Sequence, residues 1–216
     1  MLVALEFHYR SVRCNPDRIA LFPGAFNPPT VAHLGIALAA QTWAAEVVWT
    51  LPRAFPHKDY EGAGLLARLE MLRRLAAEHR GFSVAVASGG LYVEIADETR
   101  QSLGAGVEIG LVCGRDAAER IAAWDYGRPG VFEAMIERYP LLVAGRAGEY
   151  LPAPHHAERI IPLAMDPAFN EVSSTEVRRR IATGEPWRQL VPAGIADLAA
   201  SAYNMRLHEE HRHAPD

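Results

Sequence analysis

Cysteine is almost absent from this chain: two residues, Cys14 and Cys113, in 216. They form no C-x-x-C pair, which excludes a disulfide framework and a zinc knuckle and predicts that both thiols are reduced. Long hydrophobic runs are missing too. No apolar stretch approaches membrane-spanning length, and the N-terminus has no continuous apolar core ahead of a small-residue cleavage site. The expectation is a cytoplasmic protein with no membrane partner. Positive charge is not in excess either, since 22 Lys and Arg against 26 Asp and Glu give a formal net charge of −4. That argues against a broad nucleic-acid face and leaves room for a local basic pocket.

Several familiar site motifs are also lacking. There is no G-x-S-x-G elbow and no G-x-x-x-x-G-K-[ST] loop, which removes the hydrolase-elbow and P-loop kinase readings. Gly62-Ala63-Gly64 is not a full G-x-G-x-x-G and does not follow a strand pattern, so no redox cofactor is expected. His208, His211 and His213 sit in a polar tail without H-E-x-x-H spacing, and no zinc is expected there.

What is present suits one α/β core: half of the residues are hydrophobic and 22% are charged. Apolar strand patterns at residues 19–22, 47–51, 82–87, 107–112 and 140–144 alternate with helical patterns at 34–45, 65–79, 95–103 and 117–124. This order predicts a Rossmann-like, doubly wound parallel sheet with right-handed crossovers. Ligands in such sheets bind beyond the carboxyl ends of the strands, where the strand order reverses. Residues 1–17 read as an N-terminal extension, 18–207 as a single domain and 208–216 as a polar tail. Residues 127–171 read as a less regular excursion, and residues 192–207 as helical. Apolar residues at 131–142 fit a core helix and strand or an interface equally well, so a homo-oligomer stays open.

The stretch LFPGAFNPPTVAH, residues 21–33, joins an apolar strand to a stiff turn and a helix start. Gly24 admits close backbone approach, Pro28 and Pro29 stiffen the turn, and Thr30 is placed to cap a helix with His33 at its third position. N–H groups at the positive end of a helix dipole, beside a hydroxyl and an imidazole, make an anion site suited to phosphate. Near the other end, VSSTEVR at residues 172–178 sets Ser173, Ser174 and Thr175 before a helix that carries Arg178. This second helix start also suits phosphate, although a capping box alone would read the same.

Together the two stretches resemble the paired signatures of the nucleotidylyltransferase superfamily. The first, G-x-F-x-P-x-[HT]-x-x-H, is filled by Gly24, Phe26, Pro28, Thr30 and His33. The second, [IV]-S-S-T-x-[IV]-R, is filled by Val172, Ser173, Ser174, Thr175, Val177 and Arg178. Phe55-Pro56-His57-Lys58 is similar to the P-P-H-K segment of nicotinate or nicotinamide mononucleotide adenylyltransferases, and LVCGRDAAERIAAW resembles their G-x-D segment followed by a tryptophan. Of their S-Y-T-x-D-T segment, only Tyr92 has a counterpart. That departure leaves acid versus amide open.

The resemblance implies transfer of AMP from ATP to the 5′-phosphate of a nicotinate or nicotinamide mononucleotide, with Mg2+ held mainly by phosphates and water. On that basis His33 donates to the α-phosphate, with Thr30 and the backbone N–H groups of Gly24, Ala25 and Phe26 supporting the triphosphate. Ser173, Ser174, Thr175 and Arg178 hold its outer phosphates. Lys58 meets the mononucleotide phosphate or the departing pyrophosphate. Gly114 and Asp116 face the nucleotide, and Trp124 stacks on the pyridine ring. Phosphopantetheine, choline phosphate or a sugar phosphate as acceptor, CTP as donor, a regulatory module without turnover, and an aminoacyl-tRNA-synthetase-like fragment remain as alternatives.

Overall fold

The computed structural model of the protein describes residues 4–11, 16–56, 60–145, 150–169 and 171–203. The strands are β1 (Glu6–Tyr9), β2 (Arg18–Pro23), β3 (Glu46–Pro52), β4 (Phe82–Ala87), β5 (Glu108–Gly114), β6 (Leu141–Ala144) and β7 (Ile160–Leu163). They form one sheet in the order β1-β4-β3-β2-β5-β6-β7. All neighbours pair in parallel except β1, which runs antiparallel to β4. The helices are α1 (Val31–Ala40), α2 (Leu65–Glu78), α3 (Tyr92–Leu103), α4 (Arg115–Ala122), α5 (Val131–Arg138) and α6 (Ser174–Thr183). Residues 196–203 are also helical.

The central strands are buried on both faces, as a parallel sheet covered by crossover helices requires. Alternation along each strand then divides the core in two. Ala20, Phe22, Trp49 and Val112 pack on one side with α1, α2 and α6, while Ile19, Leu21, Val48 and Leu111 pack on the other with α3, α4 and α5. From β2 the chain winds outward through β3 and β4, then returns to place β5 on the other side of β2. The order therefore reverses between β2 and β5, and a crevice opens above their carboxyl ends.

Four elements depart from the expectations. The stretch read as an extension contributes β1 to the sheet, and Arg10 beyond it donates from Nε and Nη2 to the buried Glu46 carboxylate, both at 3.1 Å. A four-residue edge strand carries too little periodicity to stand out. Inside the excursion at 127–171, α5 and β7 are regular; β7 contains Pro162, which as an edge position the sheet tolerates. Helix α3 begins three residues earlier than its pattern, because the Glu94 carboxylate accepts from Gly90 N and Leu91 N and organises the first turn. The tail at 208–216 lies outside the described residues.

Glu46 is fully buried and is also bonded by Ser83 Oγ. Replacing Arg10 by Ala removes the cation from this carboxylate and should destabilise the protein by about 3 kcal/mol, read as a lower urea midpoint at unchanged m-value.

Candidate active site

The crevice at the strand reversal holds a cavity of about 290 Å³. Its walls bring together Gly24, Ala25, Phe26 and His33 from the first signature with Gly114 and Asp116 from the end of β5 and the start of α4. These two groups lie about ninety residues apart in the chain and meet because β2 and β5 are neighbours. Strand β5 passes directly into α4 at Gly114, which places Asp116 in the first helical turn. A Cβ built on Gly114 meets nothing within 4 Å, so the strand end is open to the cavity, whereas one on Gly24 would meet the Phe26 ring at 2.8 Å.

His33 is held from three sides. Thr30 is the N-cap of α1, and His33 at the third helical position closes a reciprocal capping box with it. The Thr30 N–H donates to His33 Nδ1 at 3.1 Å, and Thr30 Oγ1 lies 2.8 Å from the same nitrogen. An Nδ1 that accepts a backbone N–H carries no proton, so in the neutral ring the proton resides on Nε2. The Phe26 ring meets the imidazole edge-on, with centroids 5.3 Å apart. Thr30 is itself fully buried beneath His33. Its hydroxyl lies against the imidazole, and Thr30 is not among the residues that line the cavity.

The second signature packs against the first from outside the cavity wall. Ser173 caps α6 by accepting from Glu176 N at 3.1 Å. Ser174 Oγ donates to Pro28 O and Arg178 Nη1 to Asn27 O, both at 2.8 Å, and Arg178 Nη2 reaches Thr175 Oγ1 at 3.4 Å. None of these four residues lines the cavity as defined by its walls. Glu176 is turned onto Arg179 and Arg180, whose hydrogen bonds draw its carboxyl down to about 2. Trp124 lies just past the end of α4, half-buried, in the wall of an adjoining cavity. Lys58 lies outside the described residues.

A family model for cytidylyltransferase-like proteins matches residues 21–180. The chain belongs to the cytidylyltransferase-like family. Among curated relatives in this family, a protein of Salinibacter ruber named "probable nicotinate-nucleotide adenylyltransferase" is 32% identical over 186 residues, covering 82% of this chain and 92% of its own length. One of Anaeromyxobacter dehalogenans with the same name is 36% identical over 183 residues, covering 81% and 89%. The fold also matches that of nicotinic acid mononucleotide adenylyltransferase from Plasmodium falciparum, solved in complex with NaAD, at a TM-score of 0.67 and 15% identity, covering 88% of this chain and 99% of that one. The expected nucleotidylyltransferase-type doubly wound sheet is therefore the observed one.

Three residues beyond those expected at the site brace or line the crevice. Arg68, in the middle of the amphipathic α2, is 3% exposed and donates to Ala25 O at 2.9 Å and to Ala63 O at 3.0 Å. Its guanidinium lies over the Tyr60 ring at 4.3 Å, and burial draws its pKa down. Asn27 is 5% exposed; its Nδ2 donates to Glu61 O at 2.7 Å, and its Oδ1 accepts from Ala63 N and from Tyr203 Oη. Tyr92 donates to Pro23 O and Val112 O, both at 3.3 Å, across the reversal itself. Burial pushes its phenol well above the usual range, so it remains a donor. A single Arg in a helical pattern that also contains Arg73 and Arg74 gives no signal of burial.

Replacing Arg68 by Met keeps much of the stem but leaves Ala25 O without its guanidinium donor. The variant should lose about 2 kcal/mol of stability in denaturant titration and, because the loop beside His33 loosens, about tenfold in kcat/KM.

Proposed function

We propose that this protein transfers the AMP group of ATP to the 5′-phosphate of nicotinate mononucleotide, forming the dinucleotide and releasing pyrophosphate, as the curated relatives' names describe for them. The observation that carries the reading is His33: an imidazole locked by Thr30 with its proton on Nε2, in a cavity at the β2/β5 reversal opposite Gly114 and Asp116. A phosphate oxygen of the mononucleotide attacks the α-phosphorus, and the bond to the bridging oxygen breaks with its electron pair leaving on pyrophosphate. The nucleophile is already an anion, so the protein's task is alignment and charge stabilisation.

His33 Nε2–H donates to an α-phosphate oxygen as charge spreads over it. The Ala25 carbonyl is turned onto Arg68, and a trans peptide sets the following N–H on the opposite side, which orients Phe26 N–H away from α2 for the phosphates. Arg178 uses two of its five N–H donors on Asn27 O and Thr175 Oγ1, and its remaining donors suit the outer phosphates. Lys58 joins them as a point charge. One carboxylate, Asp116, lines the cavity, a donor set that fits a magnesium ion carried mainly by phosphate oxygens and water. The ion would supply charge neutralisation on the triphosphate. Ser173 and Ser174 act through the cap and through the Pro28 carbonyl. The expected site of action is the cytoplasm; no helix among the described residues is long and apolar enough to cross a membrane.

Pyrophosphate release with magnesium and ATP, measured against nicotinate mononucleotide, nicotinamide mononucleotide, phosphopantetheine and no acceptor, tests the reading. Release with nicotinate mononucleotide, accompanied by the dinucleotide, is the expected result; release with phosphopantetheine and with neither pyridine mononucleotide would replace it. In the same assay His33→Ala should lower kcat roughly a hundredfold, with the thermal midpoint lowered only modestly by the loss of its half of the capping box. Turnover within a few-fold of wild type would remove His33 from the mechanism.

A further inference from the structure

Two arginines lining the crevice, Arg115 and Arg120, have no role in the steps above. Arg120 lies on α4 one turn after Asp116 and lines the main cavity. It also lines the adjoining cavity of about 380 Å³ that contains Trp124. The two cavities share Gly90, Tyr92, Ala117 and Arg120, so together they form one trough leading from His33 to Trp124.

Arg120 is exposed, and no ion pair among the described residues includes it. Its neighbours are arranged otherwise. Arg115 on the same helix is paired with Asp116 at 3.4 Å and Glu119 at 3.6 Å. Asp125, the carboxylate in the wall of the second cavity, accepts from Gly127 N at 2.8 Å. The Tyr92 hydroxyl, between the two cavities, is engaged by the Pro23 and Val112 carbonyls. The trough thus carries, at the junction with its aromatic end, a guanidinium that forms no ion pair among the described residues.

We propose that Arg120 reads the carboxylate of the pyridine ring and so selects nicotinate mononucleotide over its amide. This rests on the proposed function. A mononucleotide in the trough must place its phosphate by His33, where the α-phosphate of ATP is met. Its ring then extends towards Trp124. Besides the phosphate, the acid form has one negative group, the ring carboxylate, and the amide form has none. A planar fork of N–H donors matches a carboxylate in two parallel hydrogen bonds, and an amide offers a single neutral acceptor. Because Arg120 is exposed, screening by water keeps the discrimination moderate.

The test is steady-state kinetics of Arg120→Met and Arg120→Lys at saturating ATP, with each mononucleotide in turn. Arg120→Met should raise KM for nicotinate mononucleotide about tenfold while leaving KM for nicotinamide mononucleotide and for ATP within twofold of wild type. Arg120→Lys should recover part of the loss. The ratio of the two acceptors is measured on one preparation, so it does not depend on how much of the variant folds. An equal loss with both acceptors would assign Arg120 to the phosphate or the scaffold and overturn the proposal, as would an unchanged ratio. Wild-type turnover with nicotinate mononucleotide alongside an unchanged ratio would sink only the Arg120 assignment; wild-type silence with both mononucleotides would overturn the transferase reading and this inference together.

Discussion

The site depends on where the carbonyls of one loop point. Ala25 O is taken by Arg68 from α2, Asn27 O by Arg178 and Pro28 O by Ser174 from α6. Backbone carbonyls facing a triphosphate would repel it. Holding three of them on Arg68, Arg178 and Ser174 takes those three carbonyls out of reach of such a ligand. The loop reaches this shape through Phe26 at φ 45, a backbone region costly for a bulky residue, and holds it because its ring packs between Phe22 and Trp49. Both signatures therefore build one object, since the second locks the geometry of the first.

That locking reaches across the whole molecule. Asn27 is tied to the 61–63 turn through both of its side-chain heteroatoms and to Tyr203 at the last described residue. Gly24 N donates to Thr50 O on the neighbouring strand at 3.1 Å. Loop, α2, α6 and the C-terminal helical residues move as one unit only if these bonds hold together, which makes the first signature a rigid wall. On the opposite wall, α4 exposes Asp116, Glu119 and Arg120; Arg115 pairs with the two carboxylates, and Arg120 is in no ion pair among the described residues. On the proposed function, the braced wall is where phosphorus is attacked, and choice among acceptors falls to the wall that carries Arg120.

Much of the frame was legible from patterning. The strands 19–22, 47–51, 82–87, 107–112 and 140–144 all correspond to observed strands, because buried parallel strands leave continuous apolar runs. The cap at Thr30 and its partner His33 followed from residue type and spacing alone. Elements that β1 and β7 represent escaped because edge strands are short and carry polar or proline positions that no single-sequence pattern separates from loop. The contact of the Thr30 hydroxyl with the His33 ring escaped for a different reason. A hydroxyl can face a ligand or a neighbouring ring, and spacing does not distinguish the two.

By itself the sequence determined the local devices: apolar periodicity for a two-sided sheet, a glycine and prolines for a stiff turn, hydroxyls for two helix caps, and the signatures that place the chain in its family. These are short-range properties, set by backbone sterics and by hydrogen bonds a few residues long. Only the tertiary structure decided that Arg68 is a buried anchor while Arg120 lines a trough without an ion pair among the described residues, although both are arginines on amphipathic helices. That difference depends on which helix face meets the sheet and on what the strand order brings opposite it, and both are long-range consequences of packing β5 beside β2.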